Sequence, residues 1–274
     1  MYPKHFTDQM GNHILLKHPP QRIVSLVPSQ TELLFDLGLD QEIVGLSKFC
    51  IHPKEKIRSK VKIGGTKKLK LEVIRSLKPD LIIGNKEENT KEQIEALQTE
   101  FPVWMSDIEH LKDALAMIES LGSLCNRTTQ AEQLSQGLKL QFKDFEQEQK
   151  GIEWTAAYFI WRKPNMVAGG QTFINTMLKL AGFRNAFSDQ PRYPSISNEE
   201  LKAIQPQVVL LSSEPFPFKE KHIQEFQELC PNAVIRLVDG ELFSWYGSRL
   251  LHAIPYFRTL RNDLYSKMNL NGKH

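Results

Sequence analysis

The chain has 274 residues, 41% of them hydrophobic and 24% charged, with a formal net charge of +3. Those totals describe an ordinary globular protein with room for one large or two smaller domains. They exclude a nucleic-acid binder built on basic runs, because lysines and glutamates are interspersed throughout. The first sixteen residues carry Asp8, Asn12 and His13 where a secretory signal needs an unbroken apolar run. This predicts either a cytoplasmic protein or export by a signal outside this sequence. No apolar stretch approaches the roughly 20 residues that span a bilayer. Three widely spaced cysteines, Cys50, Cys125 and Cys230, are an odd number and predict free, partly buried thiols.

In chain order, Arg22–Val27 is a short β-branched run that reads as a buried strand ended by Pro28. Ser29 and Glu32 have capping-box spacing ahead of a helix that buries Leu33, Leu34 and Leu37 and stops at Gly38. Ile43–Leu46 is a second strand. A helix over Leu71–Leu77 precedes Pro79, and Leu81–Ile83 and Val103–Met105 follow as strands. An amphipathic helix carries Leu111, Leu115, Ile118 and Leu121. From Thr128 to Lys150 there is no proline, and Leu134, Leu138, Phe142 and Phe145 recur at helical spacing, predicting one long helix. Alternation then resumes: strand Ala156–Trp161, helix Thr172–Leu180, helix Glu199–Ile204, strands Val208–Leu211 and Val234–Val238, and a final helix from Ser248. This order predicts largely parallel sheets covered on both faces.

The second half repeats the first. Glu72, Ile74 and Leu77 stand seven, five and two residues before Pro79, and Glu199, Leu201 and Ile204 stand at the same offsets before Pro206. Each proline leads into an apolar strand. Leu37-Gly38-Leu39 has its counterpart in Leu180-Ala181-Gly182-Phe183, and Val103–Asp107 in Ile235–Asp239. The expected architecture is α/β: two Rossmann-like lobes, 1–126 and 151–274, joined by a single long helix over 127–150, with a ligand cleft between the lobes.

No catalytic motif emerges: neither Gly64-Gly65-Thr66-Lys67 nor Ala168-Gly169-Gly170-Gln171 completes a phosphate loop, and there is no nucleophile elbow or zinc helix. Cys50 and His52 would face the same way on an extended segment, which supplies two ligands and not a metal site. Aromatic residues are the more informative set. Phe159, Trp161, Tyr193 and Trp245 lie at strand ends and loops, Trp245 close to Arg249, and such faces with a few cations suit a large, planar or partly anionic ligand.

The chain resembles the helical-backbone (class III) substrate-binding proteins of ABC importers for cobalamin, iron-siderophores and haem. The resemblance rests on Pro20-Gln21-Arg22-Ile23-Val24-Ser25-Leu26-Val27-Pro28-Ser29-Gln30-Thr31-Glu32, on Leu69–Ile83, and on the Glu199–Pro206 element. It implies a binding receptor rather than an enzyme, monomeric and without a resident cofactor, acting outside the cytoplasmic membrane. Its partners would be a small-molecule metal chelate and a membrane permease, which Glu72 and Glu199 would dock, one from each lobe. The cobalamin branch has aromatics near His52, Gly64 and Asn85; their absence here implies a more polar N-terminal side with His52, Lys67 and Asn85 as ligand-binding residues. Beside this stands a reading of another class, a cytoplasmic α/β enzyme or metallochaperone that keeps the receptor fold.

Overall fold

A computed structural model describes residues 2–148 and 153–271. The chain divides into two compact units: Met1–Ile108 with Lys112–Leu138 and Trp245–Arg249, and Glu109–Leu111 with Lys139–Ser244 and Leu250–His274. Two short segments thus depart from the boundaries read in the sequence. Glu109–Leu111 belongs to the second unit, and Trp245–Arg249 to the first.

Unit 1 opens with the hairpin β1 (Lys4–Thr7) and β2 (His13–Leu16), followed by β3 (Ile23–Ser25), α1 (Pro28–Asp36) and β4 (Ile43–Leu46). Next come α2 (Lys54–Ile57), β5 (Val61–Lys62), the small hairpin β6 (Gly64–Gly65) and β7 (Lys68–Leu69), and α3 (Leu71–Ser76). Then follow β8 (Leu81–Asn85), α4 (Lys91–Gln98), β9 (Val103–Ser106) and α5 (Leu111–Leu124). The sheet runs β5-β4-β3-β8-β9, with every pair parallel. Its first strand lies in the centre, so the winding reverses between β3 and β8. Ile23, Val24, Leu81, Ile82 and Ile83 are fully buried, as strands covered on both faces must be.

Helix α1 is buried along almost its whole length, Pro28 to Phe35. Complete burial of side chains such as Leu33 and Leu34 contributes about 1.5–3 kcal/mol each. Pro28 does not end the preceding strand as a mere breaker. It opens the helix, where its missing N–H costs nothing, and Val27 is the N-cap without any side-chain bond. The capping box expected at Ser29 and Glu32 is therefore not formed.

Helix α6 (Thr128–Glu148) leaves unit 1 at Leu138 and continues in unit 2 from Lys139. Gln149 and Lys150, which the sequence reading gave to its end, lie outside the described residues. Its buried stripe is Ala131, Ser135, Leu138, Phe142 and Phe145, and Ser135 donates to Glu119 at 2.6 Å.

Unit 2 contains β10 (Trp154–Trp161), β11 (Asn165–Val167), α7 (Phe173–Leu180), β12 (Phe183–Asn185), β13 (Ser195–Ile196) and α8 (Asn198–Ile204). These are followed by β14 (Val208–Ser212), α9 (Lys221–Leu229), β15 (Val234–Val238), α10 (Glu241–Ser244) and α11 (Leu250–Asn271). The parallel strands β12, β10, β14 and β15 repeat the order β4, β3, β8 and β9 of unit 1. The antiparallel strands β11 and β13 extend the sheet beyond β10. The repetition reaches the backbone: Gly38 and Gly182 close α1 and α7 at φ 76° and 77°. Lys78 and Gln205, each just before the proline, take the left-handed conformation at φ 46° and 44°. A capping box does form at α8, where Ser197 and Glu200 satisfy each other's backbone amides.

Candidate functional site

In a doubly wound sheet, ligands bind at the carboxyl ends of the strands, in the crevice where the winding reverses. In unit 1 that crevice lies between the loops after β3 and β8. Beneath it is a layer of buried polar groups, several of them hydrogen-bonded to one another. Gln30 donates to Ser106 Oγ at 2.6 Å and to the Gly84 carbonyl at 3.2 Å, and Thr31 donates to Ser25 Oγ at 2.7 Å. Asn85 belongs to this layer rather than to a ligand surface. Only 2% exposed, it donates to Ser106 Oγ at 3.0 Å and accepts the amides of Glu87 and Glu88 at 2.9 and 3.1 Å. The sequence reading of Asn85 as ligand-binding is corrected: it shapes the loop after β8 as an Asx turn.

The crevice itself is filled by the segment Trp245–Arg249. Gly247, at φ 115°, lies so close to α1 that a Cβ would meet the Ser29 carbonyl and Leu33 Cβ at 3.3 Å each. Tyr246 is buried, its hydroxyl reaches Glu88 at 3.4 Å, and burial raises the phenol pKa well above the ordinary range. Arg249 donates from Nε to Glu32 Oε2 at 2.7 Å and from Nη2 to Oε1 at 2.5 Å. Its guanidinium also lies 5.1 Å from the Trp245 ring. Arg249, read in the sequence as ligand-binding, thus has its planar fork taken up by Glu32.

On the outer side of Trp245, His52 packs edge-on at 5.7 Å between ring centroids. Lys67 is exposed and reaches the Glu87 carbonyl at 2.6 Å; the β6–β7 hairpin is further tied to this loop by Asn89 and Thr90. His52, Lys67 and Trp245 thus share the carboxyl edge of unit 1. Cys50 turns inward instead, 3.1 Å from Thr31 Oγ1 and 3.3 Å from Ser47 Oγ, and burial raises its thiol pKa. Among the described residues no three His, Cys, Asp or Glu side chains come together as a metal set.

Unit 2 reverses its winding between β10 and β14, and aromatic side chains gather there. Trp161, 40% exposed, packs edge-on against Phe216 at 5.8 Å. Phe216 in turn touches Phe218 at 4.8 Å and His222 at 5.6 Å. Burial lowers the His222 pKa. The hairpin after Trp161 is anchored by the Arg162–Glu225 ion pair and by Asn165, which donates to Asn198 at 3.0 Å. Trp161 faces Met166, which faces Ser195, two residues beyond Tyr193; Arg192 lies 5.9 Å from the Tyr193 ring. Phe159 is elsewhere. It is fully buried in the core and packs on Phe226 at 4.6 Å, which corrects its assignment as a ligand residue. The sequence reading also passed over Glu32, Phe216 and His222. The spacing of Glu32 from Ser29 pointed to a helix cap, while Phe216 sits in a loop with no periodicity and His222 in the first turn of α9.

Glu72 stands in the first turn of α3 with its side chain 86% exposed, 2.5 Å from Arg75, which also holds Glu100 at 2.6 Å. Glu199 occupies the first turn of α8 and is exposed. Its neighbour Glu200, not Glu199, makes the cap bond, accepting the Ser197 amide at 2.7 Å.

With these features in view, the chain can be set beside known proteins. A family model described as periplasmic binding protein matches residues 23–229. The uncharacterized ABC transporter substrate-binding lipoprotein YvrC of Bacillus subtilis is 27% identical over 272 residues, covering 93% of this chain and 84% of that protein. A vitamin B12-binding protein of Pectobacterium carotovorum is 28% identical over 246 residues, covering 85% of this chain and 86% of its own length. Among solved structures, the periplasmic vitamin B12 binding protein BtuF of Vibrio cholerae superposes with a TM-score of 0.77 at 21% identity, covering 93% of this chain and 99% of that one.

Proposed function

Because the chain belongs to the periplasmic binding protein family, we propose that it is the substrate-binding receptor of an ABC-type importer and takes cobalamin or a related metal chelate such as haem or an iron-siderophore. The observation that carries this reading is the similarity, along 85% of the chain, to a vitamin B12-binding protein. In keeping with it, each unit presents aromatic side chains at the carboxyl edge of its sheet. His52, Lys67 and Trp245 would meet the ligand on unit 1, and Trp161 and Tyr193 on unit 2. Asn85, Phe159 and Arg249 would act from behind these, as the packing and hydrogen bonds that hold them. The receptor would bind without turnover, as a monomer, on the outer side of the cytoplasmic membrane. Glu72 and Glu199 would face the permease, one from each unit.

Binding energy for a large planar chelate would come from burying its apolar face on aromatic rings and fixing its polar rim with a few cations. A thermal-shift series with cyanocobalamin, cobinamide, haemin and a ferric hydroxamate tests the reading. A ligand at a hundred times its dissociation constant adds about 2.7 kcal/mol to stability. A clear rise in Tm with one of the four supports the reading; no shift with any of them rejects it.

A further inference from the structure

Unit 1 is a doubly wound sheet whose switch-point crevice is occupied by the chain's own segment Trp245–Arg249. Chain connectivity alone does not explain why this segment stays there. Among its contacts are Gly247 packed on a turn of α1, the Tyr246 hydroxyl 3.4 Å from Glu88 in the loop after β8, and the Arg249–Glu32 pair. Of these, only the ion pair is both bidentate and nearly enclosed, with side-chain exposures of 14% and 11%. Arg249 also supports the ring of Trp245, and Trp245 supports His52.

We propose that Glu32 and Arg249 form a latch that holds this plug in the crevice, and that they are positioning residues which set Trp245 and His52 as the ligand-facing wall of unit 1. Neither carboxylate nor guanidinium touches the ligand. The fork geometry explains the residue types: a planar guanidinium that satisfies both carboxylate oxygens cannot rotate, so it fixes the backbone on which Trp245 is carried. A lysine at the same position would keep the charge and lose that restraint. The ligand-facing part of this proposal rests on the receptor reading above; the latch itself does not.

Hydrogen–deuterium exchange of the ligand-free full chain, read in peptides spanning 242–252, separates the two. In Glu32→Gln the amides of this segment should exchange about tenfold faster, with the β8 and β9 amides unchanged. Arg249→Lys should show a smaller rise. The double variant Glu32→Gln/Arg249→Met should exchange no faster than Glu32→Gln alone, because one coupled pair has been removed. Unaltered exchange in Glu32→Gln overturns the latch, whatever the protein binds. Cyanocobalamin titration of the same variants then tests positioning. About tenfold weaker binding in Glu32→Gln, partly recovered in Arg249→Lys, is expected from a loosened wall. Equal affinities across the series would overturn the positioning role. If the wild-type chain binds no cyanocobalamin, the receptor reading loses its leading ligand while the exchange result still decides the latch.

Discussion

Single residues of the candidate site separate into exposed ones and buried ones packed behind them, and residue type alone did not reveal which was which. Phe159 and Trp161 are two residues apart on one strand, yet the first is fully buried and the second is 40% exposed. Phe159→Ala should cost about 3–5 kcal/mol in urea unfolding, as large core truncations do, whereas Trp161→Ala should change stability by under about 1 kcal/mol. His222 gives a test by pH. Its pKa lies below the ordinary 6.5 because burial against Phe216 and Phe218 penalises the charged ring. The folded state therefore binds the proton less readily than the unfolded chain. Stability is fully present above about pH 6.5 and falls as the pH drops through that value towards the lower folded pKa. In His222→Phe, Tm measured between pH 7.5 and 5 should decline less than in the wild-type chain.

At the scale of elements, one sequence pattern gave opposite results in two places. Ser-x-x-Glu occurs at Ser29–Glu32 and at Ser197–Glu200. The second is exposed at the start of a short surface helix and closes into a capping box. The first is buried, begins one residue after a proline that has already opened the helix, and gives its glutamate to Arg249. Ser197→Ala should accordingly cost about 1 kcal/mol of stability, read from the urea midpoint. The paired left-handed residues offer a gain instead. Lys78 is exposed at φ 46°, so Lys78→Gly relieves a strain of about 1–2 kcal/mol against roughly 0.5–1 kcal/mol of added unfolded-state freedom. A small net stabilisation is expected, visible as a higher Tm.

For the whole molecule, the doubled α/β plan and the long α6 were legible because they rest on local grammar. Apolar runs of strand length, helices closed before prolines, and a long stretch without breakers declare themselves in any context. Loop positions in the sequence matched the places of some candidate residues: His52, Lys67 and Trp245 lie at the carboxyl edge of the unit 1 sheet and Trp161 at the carboxyl end of β10, while Tyr193 lies two residues before Ser195, on the amino-terminal side of β13. Asn85 and Phe159 are buried and Arg249 is paired with Glu32, since the depth of a strand residue and the partner of an arginine depend on contacts distant in sequence. Arg249 and Glu32 are separated by 217 positions, and no local pattern links them. The docking proposal belongs to this scale as well. Glu72→Ala combined with Glu199→Ala should weaken association with the cognate permease in reconstituted membranes about tenfold or more, with chelate affinity unchanged. Normal docking by that variant would remove both glutamates from the interface.

The assignment of Trp245–Arg249 to unit 1 has a consequence for cutting the chain. A fragment ending at Leu138 carries the five-stranded sheet of unit 1 but omits the segment that bears Arg249, so Glu32 loses the guanidinium that satisfies both of its oxygens. Stability of such a fragment should therefore rise when Glu32→Gln removes the stranded charge.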